Sequence, residues 1–512
     1  MRLGFVLKLA LLVPLLFLAP SVIAQTETTQ PVAEQEDAQQ LNPEGSIAIE
    51  LDDIVVIGTR VRGVAPENLS VPVEFYEIEE MTTTGTSDLG VALQQVAPSF
   101  NSQRNAIGDG GLFHSALLRG MTPDHTLVLI NGKRRHSLSF PRPLDTALQG
   151  TTGVDLRAIP IAAIERIEVL RHGAVSQYGA DAVGGVINIV LKEDAEESTA
   201  SVEAGVTGEG DGERYGVSAN VGLPLGPEGA LNLTLELFDQ DRTDRAFETS
   251  HLDPNGPNDP SIKRKVVLGE PEYDVKVLFF NAAVPLEGDA GELYAFGGWS
   301  VRNGLSSGAW RDPTWAEPRL VGPVYPDGFL PFEESTSEDL AATAGFRSAL
   351  NDNWNYDLSL SYGANTFDFG AIDSINASWA AGWLQRQLDQ GRTLSGITPA
   401  DIVANAGPRS GDSGGTKLAT WWLDVETTGE FKLGTRAIDT AFGAGYRQES
   451  FRIRAGDFAS YGCGLPDDRG EAPAPPVALD ASGNVIQLVD ETTICGHQGY
   501  PGYSPVNAQF GE

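Results

Sequence analysis

A two-residue rhythm that begins after Glu193 limits the fold more than any other feature of this chain. Leu231, Leu233, Leu235 and Leu237 alternate with Asn232, Thr234 and Glu236. Tyr215, Val217, Ala219, Val221 and Leu223 alternate with Gly216, Ser218, Asn220 and Gly222, and Tyr356, Leu358, Leu360 and Tyr362 with Asp357, Ser359 and Ser361. Successive side chains of a strand point to opposite faces, so each segment has one apolar and one polar face. Segments of about ten residues with aromatics at their ends fit a barrel with lipid outside and a polar lumen. A soluble antiparallel sandwich shows the same alternation, so the rhythm alone leaves both open. About nine such segments start near residues 199, 214, 230, 274, 292, 340, 355, 418 and 437. Short turns such as Gly226 to Gly229 and Asn351 to Asn353 alternate with long polar stretches such as Arg242 to Glu272, Gly304 to Ser337 and Gly370 to Gly415. That is the spacing of short periplasmic turns and long outer loops.

The start of the chain favours the membrane reading. Residues 1–24 place Arg2 and Lys8 around the start of an apolar run, Leu9 to Leu18, with Val22 and Ala24 before a cut, which reads as a cleaved signal peptide. The run is short and contains Pro14, so it is a poor transmembrane anchor, and no later stretch approaches eighteen consecutive apolar residues. Any spanning must then be done by a closed barrel. The formal net charge of -35 argues against nucleic acid as a partner, because phosphates need Lys and Arg to neutralise them. Residues 25–50 are rich in Gln, Glu, Thr and Pro without apolar periodicity and read as a disordered periplasmic linker. They lead into LDDIVVIGTR at residues 51–60, a β-branched run suited to adding itself as a strand to another protein's sheet edge.

Between these lies a mixed α/β region. Thr86 or Ser87 is positioned to cap a helix through Leu89 to Val96, with Asp88 in its first turn and Pro98 beyond its end. Thr126 to Ile130 reads as a strand followed by Asn131-Gly132, a strong hairpin signal because a type I′ turn needs positive φ at both central positions. The densest stretch is DLRAIPIAAIERIEVLRHGAVSQYGADAVGGVINIVLK, Asp155 to Lys192. Its paired Gly184 and Gly185 allow close backbone approach, and Asn188 interrupts an apolar strand. The IERIEV strand, the YG turn and the GGVINI strand, in that order, resemble the end of the plug domain of TonB-dependent outer-membrane receptors. LGVALQQVAPSF and the Arg119-Gly120, TLVLI and NGKR order resemble its earlier parts, so the likeness covers about Leu51 to Lys192.

The resemblance implies an α+β plug at residues 61–193 followed, at 194–512, by the N-terminal part of a transmembrane antiparallel β-barrel with long extracellular loops. It implies a TonB box within 51–60 that contacts TonB through Asp53, Ile54, Val55, Val56 and Ile57. Arg119, Glu165, Arg166, Glu168 and Arg171 are expected to tie plug to barrel wall by ion pairs as gating residues, and Arg104, Phe140 and Arg142 to face ligand. A plugged transporter barrel needs about 22 strands. The chain stops at Glu512 in a polar loop after an odd number of segments, so the expectation is a fragment or a truncated product.

Cys463 and Cys495 share one long loop, and an exported protein favours pairing them. The six His are scattered, and no ligand spacing suggests a metal or a cofactor. GDSGG, Gly411 to Gly415, matches a serine-protease nucleophile motif, but it stands in an expected outer loop without a His and Asp context. The implied function is capture of a scarce external ligand (a ferric siderophore, cobalamin, haem or an oligosaccharide) and its import with energy from TonB, without catalysis. The location implied is the Gram-negative outer membrane, in contact with its lipid, as a monomer at full length. A surface binding or adhesion protein without transport, and a truncated non-functional receptor, stay open.

Overall fold

The computed structural model describes residues 72–505 apart from 84, 103–111, 143–147, 172–177, 248, 251–262, 312–322, 352, 434–435, 467–476, 480–484, 488–494 and 498–499. The described N-terminal part is a five-stranded mixed sheet. In chain order its strands are β1 (Val73–Glu77), β2 (Thr126–Ile130), β3 (Lys133–Arg134), β4 (Ile164–Leu170) and β5 (Gly185–Leu191), arranged β1-β4-β5-β2-β3. β2 and β5 run parallel and both are buried, because side chains cover the sheet on its two faces. Val128, Ile130, Ile187 and Ile189 join one apolar cluster with Met81, Leu89 and Leu93, while Leu127, Leu129, Leu170 and Val186 form a second.

The hairpin at Asn131-Gly132 forms as its residues demand, with φ of 48° and 78°. Asn188 explains its own interruption of β5: its Oδ1 accepts the Gly132 N–H at 2.9 Å, and its Nδ2 donates to Glu168 at 3.0 Å. The plug's longer helix, α1 (Leu89–Val96), is capped by Asp88 itself, whose Oδ1 accepts the Val91 N–H at 3.0 Å. Thr86 supports that cap from outside by accepting the Asp88 N–H, so the capping position lies one or two residues later than the sequence suggests.

After Lys192 nine antiparallel strands follow one another as neighbours in a single sheet, here called the wall. They are β6 (Ser198–Gly205), β7 (Arg214–Leu225), β8 (Gly229–Gln240), β9 (Glu272–Pro285), β10 (Glu292–Ser307), β11 (Phe332–Asn351), β12 (Trp354–Ile372), β13 (Gly411–Leu433) and β14 (Arg436–Ala455). The later strands reach 20 and 23 residues, about twice what a bilayer needs. They therefore extend into stretches that read as loop: Gly411 to Gly415 begins β13 rather than lying in an outer loop. Within Gly370 to Gly415 the structure also builds a helix, α2 (Ala377–Asp389).

The wall's alternation is inverted relative to a soluble protein. Asn232, Thr234 and Glu236 are buried, whereas Leu278, Leu358, Leu360 and Leu423 are 44 to 52% exposed. Polar residues thus face the plug and leucines face outward, as lipid requires. Among the described residues no helix is long and apolar enough to cross a membrane.

Candidate functional site

The boundary between plug and wall holds a chain of polar contacts that starts at the β2–β3 hairpin. Its turn projects Asn131, whose Nδ2 donates to Asn281 on β9 at 3.2 Å. Lys133 reaches Asp357 on β12 at 2.9 Å, and the Tyr294 hydroxyl donates to the same carboxylate at 2.8 Å. Arg135 and His136 then share Asp339 on β11, His136 at 2.8 Å, with all three side chains at most 7% exposed. The wall makes room for this by a missing side chain. A Cβ on Gly363 would come within 2.2 Å of the His136 ring. Ser139 ends the run, donating from N and Oγ to the Asn365 Oδ1, both at 2.8 Å.

A second group lies where Asp155 caps a short 3-10 turn by accepting the Arg157 N–H. The turn aims both side chains at the wall. Asp155 meets Arg302 of β10 at 2.7 Å, and Arg157 meets Glu236 of β8. Arg157 also lies 3.5 Å from Asp88, which binds His114 at 2.6 Å. Burial alone would raise the Asp88 carboxyl, but the charge and hydrogen bond of His114, with the charge of Arg157, hold it well below the usual carboxylate range. The guanidinium groups are also packed on rings, Arg157 over Phe238 at 4.8 Å and Arg302 over Phe113 at 5.0 Å. Removing one member of such a buried pair strands the other charge, so the groups hold the plug to a particular seat.

These are not the residues expected to bridge plug and wall. Arg119 donates to the Arg171 carbonyl, Arg171 pairs with Glu74, and Arg166 pairs with Glu165 and Glu168. Those contacts all lie inside the plug, because β4 is an internal strand whose ladder partners β1 and β5 carry the neighbouring side chains. The bridging role falls to Lys133, Arg135, His136, Asp155 and Arg157. The available signal was on the wall: Glu236, Arg302 and Asp339 are charges on the small, polar face of alternating strands, where they need a partner.

Of the expected ligand residues, Phe140 is 2% exposed and packs with Phe113, Phe367 and Phe369. Arg142, also 2% exposed, has φ of 47° and donates to the Ser115 hydroxyl at 2.9 Å. Both are therefore packing residues of the boundary rather than exposed ligand contacts. Arg104 and the run Asp53, Ile54, Val55, Val56, Ile57 lie outside the described residues. Cys463 and Cys495 are joined as a disulfide with their Cα atoms 4.8 Å apart. Among the described residues no group of three His, Cys, Asp or Glu is placed to hold a metal ion.

A small mixed α/β domain ion-paired to the polar face of an outward-apolar antiparallel sheet defines a plugged barrel wall. Residues 65–186 match the family model of the TonB-dependent receptor plug domain. The chain is 30% identical over 184 residues to the vitamin B12 transporter BtuB of Vibrio cholerae serotype O1, covering 36% of this chain and 27% of that protein. It is 38% identical over 127 residues to the probable TonB-dependent siderophore receptor PirA of Acinetobacter baumannii, covering 25% and 17%. The ferric-catecholate import receptor Fiu from E. coli K12, in its open form, superposes with a TM-score of 0.45 at 14% identity, over 75% of this chain and 50% of that one. The chain thus matches about a quarter or less of the length of these curated relatives.

Proposed function

We propose that this chain acts in the outer membrane as a TonB-dependent import receptor for a scarce external small molecule. The plug fills the lumen side of the wall, ligand binds from outside, and TonB pulls on residues 53–57 to move the plug. The observation that carries this reading is the buried ion pairing between a plug-family domain and the wall. Two groups of charges seat the plug beside the apolar packing of Phe113 and Phe140 on Phe367 and Phe369, so the seat is specific in register and can reform after the plug has moved. The named relatives, a vitamin B12 transporter and a siderophore receptor, support import and do not choose the ligand. In this reading Arg119, Glu165, Arg166, Glu168 and Arg171 keep the plug intact while it moves.

The test is uptake of labelled cyanocobalamin and of ferric enterobactin by cells lacking their own receptors and expressing the full chain. Accumulation of either that disappears on deletion of residues 53–57, with surface binding kept, supports the reading. Binding without accumulation in any background favours a surface binding protein instead.

A further inference from the structure

Near the end of β13 that residues 373–410 join to β12, two cations stand side by side on the outward face of the wall. Lys417 of β13 and Arg452 of β14 are directly opposed in the ladder, and both are exposed. Lys417 shares its face with Trp421, Leu423 and Val425, which are 45 to 47% exposed, because side chains alternate along a strand. Like charges opposed across a ladder repel, so the pairing weakens the sheet unless an anion stands between them. Among the described residues neither cation has a carboxylate partner or a side-chain hydrogen bond. The other charges nearby are neutralised. Arg454, two residues further out on β14, binds Asp368 at 2.8 Å and also Asp412. The same cross-strand row runs through Lys276, Val301, Glu338 and Thr366 before it reaches Lys417. In it Lys276 lies 3.4 Å from Asp274, and Glu338 accepts the Trp299 indole N–H at 2.8 Å.

Aromatic rings set the level of the pair. Tyr362 and Trp421 meet with centroids 4.5 Å apart, and Lys417 stands beyond them by about 13 Å along β13. Towards the opposite end Trp354 stacks with Phe442 at 6.1 Å, about 27 Å along β12 from Tyr362. Two such rows match the girdles that flank an apolar band. We propose that Lys417 and Arg452, with the Thr366 hydroxyl beside them, hold the phosphate of an anionic lipid in the outer leaflet. Arg452 supplies forked donors to the phosphate oxygens and Lys417 a compact charge. The acyl chains of that lipid lie along the outward leucines, on the inner side of the girdle. A free phosphate meets the cations alone, and this favours the lipid as occupant. On a chain of net charge -35 an anion is repelled in general, so two unneutralised cations make a local site. The proposal rests on the outer-membrane reading for what the outward face meets, and it is independent of the imported ligand and of plug movement.

Native mass spectrometry of the full chain in neutral detergent, with equal dioleoylphosphatidic acid and dioleoylphosphatidylcholine, tests this. Phosphatidic acid adducts should exceed phosphatidylcholine adducts about tenfold. The preference should fall several-fold in Lys417→Gln and in Arg452→Gln and vanish in the double variant. Lys276→Gln removes a cation of the same row that already has its carboxylate, and should leave the preference unchanged. An equal loss in Lys276→Gln would show general attraction of charge and overturn the site. So would displacement of the phosphatidic acid by an equal concentration of inorganic phosphate, which would make the cations a phosphate site. If the double variant fails to fold by heat-dependent electrophoretic mobility, the two single variants decide. Phosphatidylcholine adducts without a preference for phosphatidic acid overturn the site alone, whereas absence of adducts of both lipids overturns the site and the outer-membrane reading together.

Discussion

Asp155 of the plug and Arg302 of the wall meet at 2.7 Å with side-chain exposures of 4% and 5%, so neither charge has water to fall back on. Arg302→Met is expected to destabilise the plug's seat by about 3–5 kcal/mol, because it leaves the Asp155 carboxylate buried and unpaired. Adding Asp155→Asn removes that stranded charge and keeps the short cap, so the double variant should recover much of the loss. Urea unfolding in detergent micelles gives the comparison. Purely additive losses would mean that the two residues act separately.

Asp88 makes the seat sensitive to acid. Its folded-state carboxyl lies well below its unfolded value: burial pushes it up, and His114 and Arg157 pull it further down. A depressed carboxylate contributes stability that is complete above an unfolded pKa of about 3.9 and fades as pH falls from there towards the folded value. Asp88→Asn, which still caps α1, should therefore cost stability at pH 7, and the gap to wild type should narrow below about pH 4. Melting temperatures of both proteins across pH 7 to 2 read this directly. A gap that does not change with pH would assign the effect to shape.

Gly185 is required by close approach on the plug's central strand. Its φ is 140°, and an added Cβ would stand 2.6 Å from the Leu170 carbonyl oxygen and 2.9 Å from Leu118 Cδ1. Gly185→Ala is expected to cost about 1–3 kcal/mol from backbone strain, with the clash in addition. Gly120→Ala meets nothing within 4 Å and bears only the cost of its positive φ of 73°, so it is the matched control. Hydrogen exchange of β5 amides should rise in the first variant and change less in the second.

How far the fold could be read in advance follows from what local chemistry encodes. The nine wall segments were visible because an exposed apolar face on one side and a plug-facing polar face on the other impose a strict period of two. Asn131-Gly132 and Gly184-Gly185 were visible because only certain residues tolerate those backbones. The ends of the strands were not: Phe332 to Ser337 and Gly411 to Gly415 pair in the sheet without an alternating apolar face. The pairing of Arg157 with Glu236 was hidden for a different reason. Alternation tells which face a charge is on, but not which of several opposite charges lies across the boundary.

The Cys463–Cys495 bond closes a loop over a sequence separation of 32 and anchors it to α2. Asn376, which caps that helix, donates to the Ala459 and Gly462 carbonyls at 2.9 and 2.8 Å. Reduction should release about 3–4 kcal/mol of loop restraint in the chain-entropy model. Faster proteolysis between residues 456 and 503, with the wall strands still protected, is the expected result. Equal digestion with and without reductant would show that the hydrogen bonds to α2 suffice.

Leu360 and Ser361 are neighbours on β12 that face opposite sides, 49% and 4% exposed. Leu360 sits in the middle of its strand, where lipid would surround it, while Ser361 turns inward and accepts the Thr343 hydroxyl at 2.9 Å. Leu360→Arg should therefore cost about 2–4 kcal/mol for folding into lipid vesicles, the penalty of a cation at the bilayer midplane. The same change costs little in a detergent micelle that lets the side chain reach water. Ser361→Ala should behave the opposite way, losing one buried hydrogen bond, about 1 kcal/mol, equally in both media. Folding measured by electrophoretic mobility in vesicles and in micelles separates the two. If Leu360→Arg folds equally well in both, the outward face of β12 does not meet hydrocarbon, and a soluble sheet becomes the better account of the wall.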